Sequence, residues 1–527
     1  MDKRTTKPGY RLVLQDTGDP LTRTVDHMTR EKLIANSLGP IEGLDFDCYA
    51  HCVNHASGVY HKSDVRERTM EFIPRLRSGS ALQMKQAFEQ LDQQNVDILQ
   101  TYCEAAHAQG KSCMLRLRMQ DLHDRMGIHM EIDRNFASVP TVSVPEPYYY
   151  MAKWKRDHPE YLMGNPFAET PTDQPRFWRN IATNYALGPV IEYHFSLAQE
   201  LIDRYDMDTL ELDFMRFAFY FHEHEAYVQR HVLTQLIRRI RQCVDKRNAG
   251  RDKPLCLTAR VPDTVELGLR NGIDVPVWLA EGLLDGITIS GGYSPFGTPW
   301  RELVQLAAKA GLPALACLSS GGLGRDIEVI RAAAARAISH GCCGIELWNY
   351  FYCMDFYHRP GKNPLPLSEF AILADHQALM RSAKRYELKL AESNSIVGAA
   401  HAHAAWPGQL PMTIGVGGEH KHLVEFDVAD DPKVHKDAVW TVDLHLLDIG
   451  REDELAFTWN GQAVDKGQQS WWSNSVHDRH YLQFNVSAGS CVRGVNVLGV
   501  ALLKRDAGLD PFVTLGGASL SIPESVG

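Results

Sequence analysis

The segment YDMDTLELDFMRF, residues 205–217, indicates the fold of this chain. Hydrophobic residues alternate in it with charged ones, as expected for a short buried strand. Because the side chains of a strand point to opposite faces in turn, Glu211 and Asp213 share one face. In a parallel barrel that face points inward, and Asp213, nearer the carboxyl end, then lies beside the active-site loops.

Two carboxylates on one face of a buried strand need an explanation, because burying a carboxylate is costly unless it is paired. We interpret Glu211 and Asp213 as candidates for chemistry at the mouth of the barrel. The alternative is a structural role, in which Asp213 pairs with Arg216, or Glu211 pairs with a neighbouring base.

Strand-like and helix-like segments alternate on both sides of this stretch. The predicted strands are residues 43–49, 111–124 with a charged end, 210–214, 255–262, 286–290, 313–318 and 343–350, with one further early strand expected near Phe72. The predicted helices are residues 80–93, 96–108, 190–204, a helix ending at about 246, 275–281, 300–310 and 326–340. Short apolar strands that alternate with amphipathic helices are typical of a parallel sheet covered by helices. The sequence therefore predicts an α/β fold, a (β/α)8 TIM barrel.

The hydrophobic period changes near residue 395, where segments begin to alternate every second residue between turn residues. This pattern predicts a C-terminal all-β sandwich, jelly-roll-like, over residues 393–527. Residues 1–40 are predicted to be a lead-in, and residues 41–392 the barrel. An insertion at about 125–185, rich in proline and aromatic residues, is expected either to stack on sugar rings or to pack as a lid over the barrel mouth.

Composition and net charge indicate which kinds of molecule the protein can bind and where it is located. The chain has 527 residues and a net charge of -10, which argues against a nucleic-acid partner. No stretch is long and apolar enough to span a membrane, and the start MDKR lacks the apolar run of a signal peptide. The eleven cysteines do not follow a disulfide or zinc spacing, so a cytoplasmic location is expected, although a protein that had lost an export signal would have the same sequence. The oligomeric state is left open, a homo-oligomer included.

Three motifs carry a resemblance to a known family. They are ELIDRYDMDTLELDFMR at residues 200–216, LRMQDLHD at 117–124 and HPEY at 158–161. Around them, over roughly residues 40–360, the chain resembles the glycosyl hydrolase-like 10 group of bacterial (β/α)8-barrel proteins. The β-rich tail, with WNG at 459–461, is similar to the accessory module of such proteins. The resemblance implies carbohydrate processing and a carbohydrate partner, without naming a sugar.

Glycoside hydrolysis generally uses two carboxyl groups, one ionised and one protonated. We predict that Asp213 is the nucleophile or general base, held ionised by Arg216 or Arg118. Glu346, which is flanked by apolar residues, is the predicted proton donor, and Asp121 is its competitor. If Glu346 instead faces the outer helices, it is a structural acid.

Further residues at predicted strand ends are candidates for substrate binding. Arginines that converge there would bind a carboxylate or sulfate, so the substrate is expected to be an oligo- or polysaccharide, with an acidic or sulfated one as an option. The alternative is that each arginine neutralises a barrel-end carboxylate. The predicted substrate-binding residues are Arg118, His123, Arg216, Arg260, Tyr293, Trp348, Asn349, His51 and Glu211.

No cofactor or metal is predicted, and two other functions stay open. One is a metal-dependent hydrolase or a lyase acting on uronic-acid sugars, which would use His123, Asp121 and the arginines. Against it, His222 and His224 alternate on a loop and do not have the spacing of a helical zinc motif. The other is a non-catalytic carbohydrate-binding barrel.

Overall fold

A computed structural model describes most of the chain. The described residues are 8–18, 27–69, 71, 79–126, 151–166, 168, 170, 174–292, 294–319, 323, 326–353, 366–389, 407–417, 422–435, 438–474 and 479–525. Tyr293 and Phe72 lie outside them.

Eight parallel strands close into a barrel, which confirms the predicted fold class. The strands are β1 (Leu12–Asp16), β2 (Cys48–Cys52), β3 (Ser112–Arg118), β4 (Thr209–Asp213), β5 (Cys256–Val261), β6 (Gly286–Ile289), β7 (Ala314–Ser319) and β8 (Gly344–Trp348). Each strand pairs with the next in sequence, and β8 pairs back with β1. Side chains from all eight strands therefore meet on one axis.

Helices lie between the strands. They are α1 (Arg30–Ser37), α2 (Gly79–Gln93), α3 (Ile98–Ala108), α4 (His123–Met126), α5 (Lys153–Asp157), α6 (Pro175–Arg179), α7 (Gly188–Arg204), α8 (Ala226–Asn248), α9 (Val265–Arg270), α10 (Val275–Ala280), α11 (Trp300–Lys309), α12 (Ile327–Ser339) and α13 (His376–Arg381). Local signals set their ends: the Asp97 carboxylate accepts hydrogen bonds from the first turn of α3, and Gly110 follows that helix with a φ of 68°. None of the described helices combines the length and the apolarity needed to cross a bilayer.

The first strand corrects the predicted lead-in, because residues 12–16 belong to the barrel. Leu12 and Leu14 pack into the layer between strands and helices, while Val13 points into the barrel. A five-residue strand buried on both faces has no polar alternation to reveal it. The next strand is also shifted from its predicted place: β2 begins at Cys48, and Asp47 before it accepts a hydrogen bond from the backbone N–H of Arg11.

The C-terminal domain is an antiparallel β-sandwich. Its strands are β9 (Lys384–Lys389), β10 (Met412–Gly415), β11 (His422–Val428), β12 (Val439–Leu447), β13 (Glu454–Trp459), β14 (Gln462–Ala463), β15 (Ser470–Asn474), β16 (Arg479–Ser487), β17 (Gly494–Lys504) and β18 (Phe512–Ile522). The two sheets have the orders β9-β18-β12-β16-β15, with β10 also on β18, and β11-β17-β13-β14. Because β9 pairs with β18, the sandwich begins before residue 393, where the sequence pattern placed it.

The sandwich packs on one helix of the barrel. In α12 and just after it, Arg336 and His340 both contact the Asp427 carboxylate of β11, the latter at 2.8 Å. Arg385 of β9 contacts Asp326, the N-cap of α12, at 2.6 Å. Ion pairs therefore join the sandwich to helix α12 of the barrel.

The described part of the aromatic insertion packs against the barrel. Phe177 and Trp178 of α6 are buried, and Trp178 lies 5.2 Å from Phe217, measured between ring centroids. This contact favours the packing alternative for those residues. Residues 127–150 of the insertion lie outside the described part of the chain.

Replacement of Leu14 by alanine tests the place of β1 in the core. Leu14 is fully buried beside Tyr49 and Leu347, so L14A should lower the free energy of unfolding by about 3 kcal/mol. Leu82, 46% exposed on α2, provides the matched control, and L82A should cost no more than about 0.5 kcal/mol. Urea unfolding followed by tryptophan fluorescence measures both, and equal losses would contradict the assignment of β1 to the core.

Candidate active site at the carboxyl end of the barrel

The middle of the barrel interior holds a buried charge cluster. Arg116 of β3 forms ion pairs with Glu211 of β4 and with Glu346 of β8, and all three side chains are fully buried. The Nε of Arg116 donates to Glu211 at 2.6 Å, and the Thr288 hydroxyl donates to the other oxygen of that carboxylate at 2.6 Å. One guanidinium thus bridges two carboxylates at the barrel centre.

This cluster decides the place of Glu346. Its side chain points into the barrel, so the alternative of an acid facing the outer helices is wrong. Glu346 is bound to Arg116, however, and precedes Trp348, at the carboxyl end of β8, by two residues. A separation of two residues along a strand is one layer of the interior, so Glu346 lies below the rim, not at it.

Glu211 has an unusual affinity for protons. Burial raises its pKa to about 7, against the pull of Arg116, and the nearby Glu346 carboxylate adds to the increase. The predicted proton donors are Glu346 and Asp121, whereas the carboxyl group whose pKa burial raises to about 7 is that of Glu211.

Asp213 lies above this cluster, at the carboxyl end of β4. Arg260 of β5 binds it through two parallel contacts, Nε to Oδ1 at 2.9 Å and the second guanidinium nitrogen to Oδ2 at 2.8 Å. The backbone N–H groups of Met215 and Arg216 also donate to Oδ1, at 2.8 and 3.1 Å. Both carboxylate oxygens are therefore held in place, and the side chain is 1% exposed.

The partner of Asp213 corrects one prediction. Burial by itself would raise the pKa of this carboxyl, but the charges of Arg260 and then Arg116 outweigh it and hold the pKa below its ordinary value. Asp213 is ionised, as predicted, but its direct partner is Arg260 and not Arg216 or Arg118. Arg260 is on the neighbouring strand in register with Asp213, which is why its guanidinium reaches both oxygens.

Asp121 is the second carboxylate at the rim. It accepts from Arg118 at 2.8 Å, and its other oxygen contacts Nδ1 of His123 at 2.5 Å. Burial opposes ionisation, but His123 and Arg118 hold the pKa of Asp121 well below its ordinary value. Asp121 in this arrangement is an ionised hydrogen-bond acceptor.

His123 and Arg216 continue the rim. Burial, with Arg216 nearby, keeps the pKa of His123 well below its ordinary value despite the Asp121 carboxylate, so the ring is neutral. Because Nδ1 faces a carboxylate, we assign the proton to Nδ1, and Nε2 then accepts from Arg216. The Arg216 guanidinium also lies 5.1 Å from the ring centroid of Trp348, and that of Arg260 lies 5.3 Å from it. The Trp348 ring thus contacts two cationic side chains.

His51, another predicted substrate-binding residue, does not lie inside the barrel. His51 faces the outer layer, because Cys48, Ala50 and Cys52 take the inward positions of β2; its ring lies 4.4 Å from that of Tyr102 on α3. Burial lowers the pKa of His51 to about 3. Its assignment to substrate binding is therefore wrong.

Asn349, another predicted substrate-binding residue, follows β8 in a left-handed conformation, with a φ of 55°. Its backbone N–H donates to the side chain of Gln15 at 3.1 Å, which joins β8 to β1 at the rim. Tyr293 falls outside the described residues.

Sequence reasoning missed two inward or rim-facing residues. Arg116 precedes Arg118 by two residues, so strand alternation alone placed it on the same inward face. Asp263 follows Arg260 by three residues and is fully buried, and its carboxylate accepts from Thr298 at 3.2 Å. Its position just past a barrel strand was the available signal.

The described residues contain no group of three or more His, Cys, Asp or Glu side chains arranged to hold a metal ion. His123 and Asp121 contact each other and arginines, not a shared centre. These residues therefore do not provide the converging ligands that the metal-dependent alternative requires.

No protein-family model matches the sequence. No curated protein matches it either. Among solved structures, the glycoside hydrolase domain of PgaB (BpsB) from Bordetella bronchiseptica is 12% identical, with 64% of this chain and 93% of that chain covered and a TM-score of 0.39. Alpha-L-fucosidase isoenzyme 2 from Paenibacillus thiaminolyticus is 14% identical, with 71% and 51% covered and a TM-score of 0.40.

A cycloisomaltooligosaccharide glucanotransferase from Paenibacillus sp., in complex with cycloisomaltoheptaose, is 10% identical with a TM-score of 0.33. The comparison covers 98% of this chain, which spans 58% of that enzyme. Likenesses at this level assign no activity, and the fold follows from the strand pairing itself.

The charge state of Glu211 gives a pH-dependent prediction. Its pKa of about 7 in the folded protein exceeds the ordinary 4.5, so between these values the folded state holds a proton that the unfolded chain does not. This contribution to stability is present at low pH and is lost as the pH rises through 7. Wild type should therefore lose stability relative to E211Q, which does not titrate, between about pH 5 and pH 8.

Urea unfolding of both proteins at several pH values measures this difference. The comparison with E211Q cancels the opposing titration of the buried histidines. E425Q, at an exposed position of β11, controls for loss of one negative charge and should follow wild type. A difference between wild type and E211Q that is constant with pH would contradict the raised pKa.

Proposed function

We propose that this protein is a glycoside hydrolase, with Asp213 as the ionised carboxylate of its active site. The observation that carries the proposal is the place and state of Asp213. It ends the fourth strand of a (β/α)8 barrel, on the face where such barrels carry their active sites. Arg260 and two backbone N–H groups hold it ionised and oriented.

A fixed, ionised carboxylate suits an oxocarbenium-like transition state. Positive charge develops on the sugar ring during glycosidic cleavage, and a carboxylate stabilises it as nucleophile or through a bound water. Because the Arg260 pair fixes the carboxylate before substrate arrives, little reorganisation is needed at the moment of reaction. The resemblance to the glycosyl hydrolase-like 10 group is part of this proposal and supports the same class of substrate.

Hydrolysis also needs a second carboxyl group that donates a proton. The contact of Glu346 with Arg116 below the rim argues against its role as donor. Asp121 is at the rim, and we propose it as the donor once substrate separates it from Arg118 or His123, since either separation would raise its pKa.

A second candidate is a carbohydrate-binding barrel without catalysis. One observation favours it: both Asp121 and Asp213 have lowered pKa values, whereas hydrolysis needs one carboxyl group protonated. The two candidates predict the same ligand class and differ in turnover.

Replacement of Asp213 by asparagine tests the proposal. On a panel of oligosaccharides assayed for released reducing ends, D213N should lose at least about 100-fold in kcat, because the ionised carboxylate is gone. Asp285 provides a matched control: it is buried, binds Arg241 at 2.7 Å and accepts from the backbone N–H of Leu257, but it precedes β6 at the opposite end of the barrel.

D285N should lose a similar amount of stability, on the order of 3 kcal/mol, and keep its kcat. Equal loss of activity in both variants would mean that D213N acts through folding. A wild-type protein that binds oligosaccharides and releases no reducing ends would favour the second candidate.

A further inference from the structure

Both nitrogens of the His123 ring are occupied by protein partners. Nδ1 donates to the Asp121 carboxylate, and Nε2 accepts from the Arg216 guanidinium. The side chain is also shielded, with an exposed fraction of 11%. A substrate could hydrogen-bond to His123 only after one of these two contacts had broken.

A second histidine, His55, lies against this ring. The two ring centroids are 4.5 Å apart, with 30° between the ring planes. His55 belongs to a short hairpin after β2, in which Asn54–His55 pairs with Gly58–Val59. The Asn54 side chain ties this hairpin to the end of β3, because it donates to the backbone carbonyl of Arg118 at 3.0 Å and accepts from the N–H of the same residue at 2.9 Å. The strand therefore fixes the place of His55 at the rim.

The His55 ring has a hydrogen-bonding capacity that the protein does not use. In the described part of the chain, neither ring nitrogen has a hydrogen-bond partner. The residue is partly exposed, and both ring nitrogens reach its accessible surface. His51 is the opposite case, because its two nitrogens have no partner but are buried. A ligand can therefore reach the nitrogens of His55 and not those of His51.

The charge state of His55 indicates which chemical group it would bind. Burial, with the charges of Arg118 and Arg216 nearby, outweighs the effect of Asp121 and lowers the pKa of His55 to about 4. The ring is therefore uncharged at neutral pH, with one N–H that donates and one nitrogen that accepts. A hydroxyl group can use both, since it donates one hydrogen bond and accepts others. A carboxylate accepts only.

The arginines at the ends of β3 and β5 are already paired. Arg118 contacts Asp121 and Arg260 contacts Asp213, both at 2.8 Å. This is the alternative in which barrel-end arginines neutralise carboxylates. An acidic or sulfated substituent would compete with these carboxylates for the guanidinium groups, whereas a hydroxyl group would not. The contacts at this part of the rim therefore favour an uncharged ligand.

We propose that His55, and not His123, is the rim histidine that contacts substrate, and that it hydrogen-bonds a hydroxyl group of a neutral saccharide. The proposal rests on the proposed function, and it names the substrate class. His55 packs on His123, which in turn contacts Asp121, so a hydroxyl group bound to His55 is one ring away from the proposed proton donor. His55 is thus a specificity-determining residue beside that donor.

Labelling with diethyl pyrocarbonate tests the first part of the proposal, because this reagent acylates uncharged imidazole nitrogens. In the full wild-type chain at neutral pH, His55 should be labelled at least about tenfold faster than His123, which must first break a hydrogen bond. Mass spectrometry of the peptides measures both rates. His224, with a side chain 81% exposed, gives the rate of an open ring, and His51 that of a buried one. Labelling of His55 as slow as that of His51 would overturn the proposal.

Protection from this labelling tests the ligand class. The neutral probes are the pentasaccharides maltopentaose, cellopentaose, xylopentaose and chitopentaose, and pentagalacturonate is the acidic probe. In D213N, which is not expected to hydrolyse them, at least one neutral probe should slow the labelling of His55 at least about tenfold and leave that of His224 unchanged. Protection by none of the neutral probes overturns the proposal, and so does protection by pentagalacturonate alone.

Replacement of His55 by phenylalanine (H55F) or glutamine (H55Q) tests its role on the protecting probe. H55F keeps a ring against His123 and loses both nitrogens, so kcat/KM should fall at least about tenfold, whereas H55Q keeps a donor and an acceptor and should stay within about threefold of wild type. H224F is the control and should equal wild type. Where no turnover occurs, calorimetric affinity replaces kcat/KM. An H55F variant equal to wild type would contradict the proposal.

The two assays separate this proposal from the hydrolase assignment. Protection of His55 by a neutral probe, without release of reducing ends from any probe by wild type, would support His55 as a binding residue and count against hydrolysis. Release of reducing ends from a probe that leaves His55 unprotected in D213N would do the reverse.

Discussion

The contact of Arg116 with two carboxylates is the interaction on which the rest of the site depends. Without this guanidinium, Glu211 and Glu346 would be like charges in a buried interior, which is highly unfavourable. The barrel holds these charges because neighbouring strands supply opposite ones in register. The interior is therefore a stack of paired charges, with apolar packing below at Val13, Met114 and Leu315.

The stack explains why acids on one strand have different charge states. Glu211 shares its arginine with Glu346, and the second carboxylate adds to the effect of burial, so its pKa rises. Asp213, two residues further on, has Arg260 bound to both oxygens and accepts two backbone hydrogen bonds, so its pKa falls. The number of cations per carboxylate, not burial, separates the two. This difference places a fixed negative charge at the rim and a carboxyl group of raised pKa, Glu211, below it.

At the rim, two cationic side chains lie against one aromatic ring. Trp348 lies against Arg216 and Arg260. Guanidinium groups stacked on rings keep a planar orientation, which favours recognition of planar carboxylates.

The sequence by itself determined the architecture, because period and length are local properties. Alternation placed Glu211 and Asp213 on one inward face, and the helical periods located most of the barrel helices. The same rules failed for β1, whose five buried residues carry no period, and for His51, because its strand begins five residues later than predicted. They also could not locate the start of the sandwich, since β9 follows directly on the last barrel helix.

Only the tertiary structure decided which charges meet. Asp213 and Arg260 are 47 residues apart, and Arg116 and Glu346 are 230 apart. Such pairs depend on strand register around the closed barrel, which nothing local specifies. The guanidinium groups of the two predicted partners of Asp213, Arg216 and Arg118, instead contact His123 and Asp121.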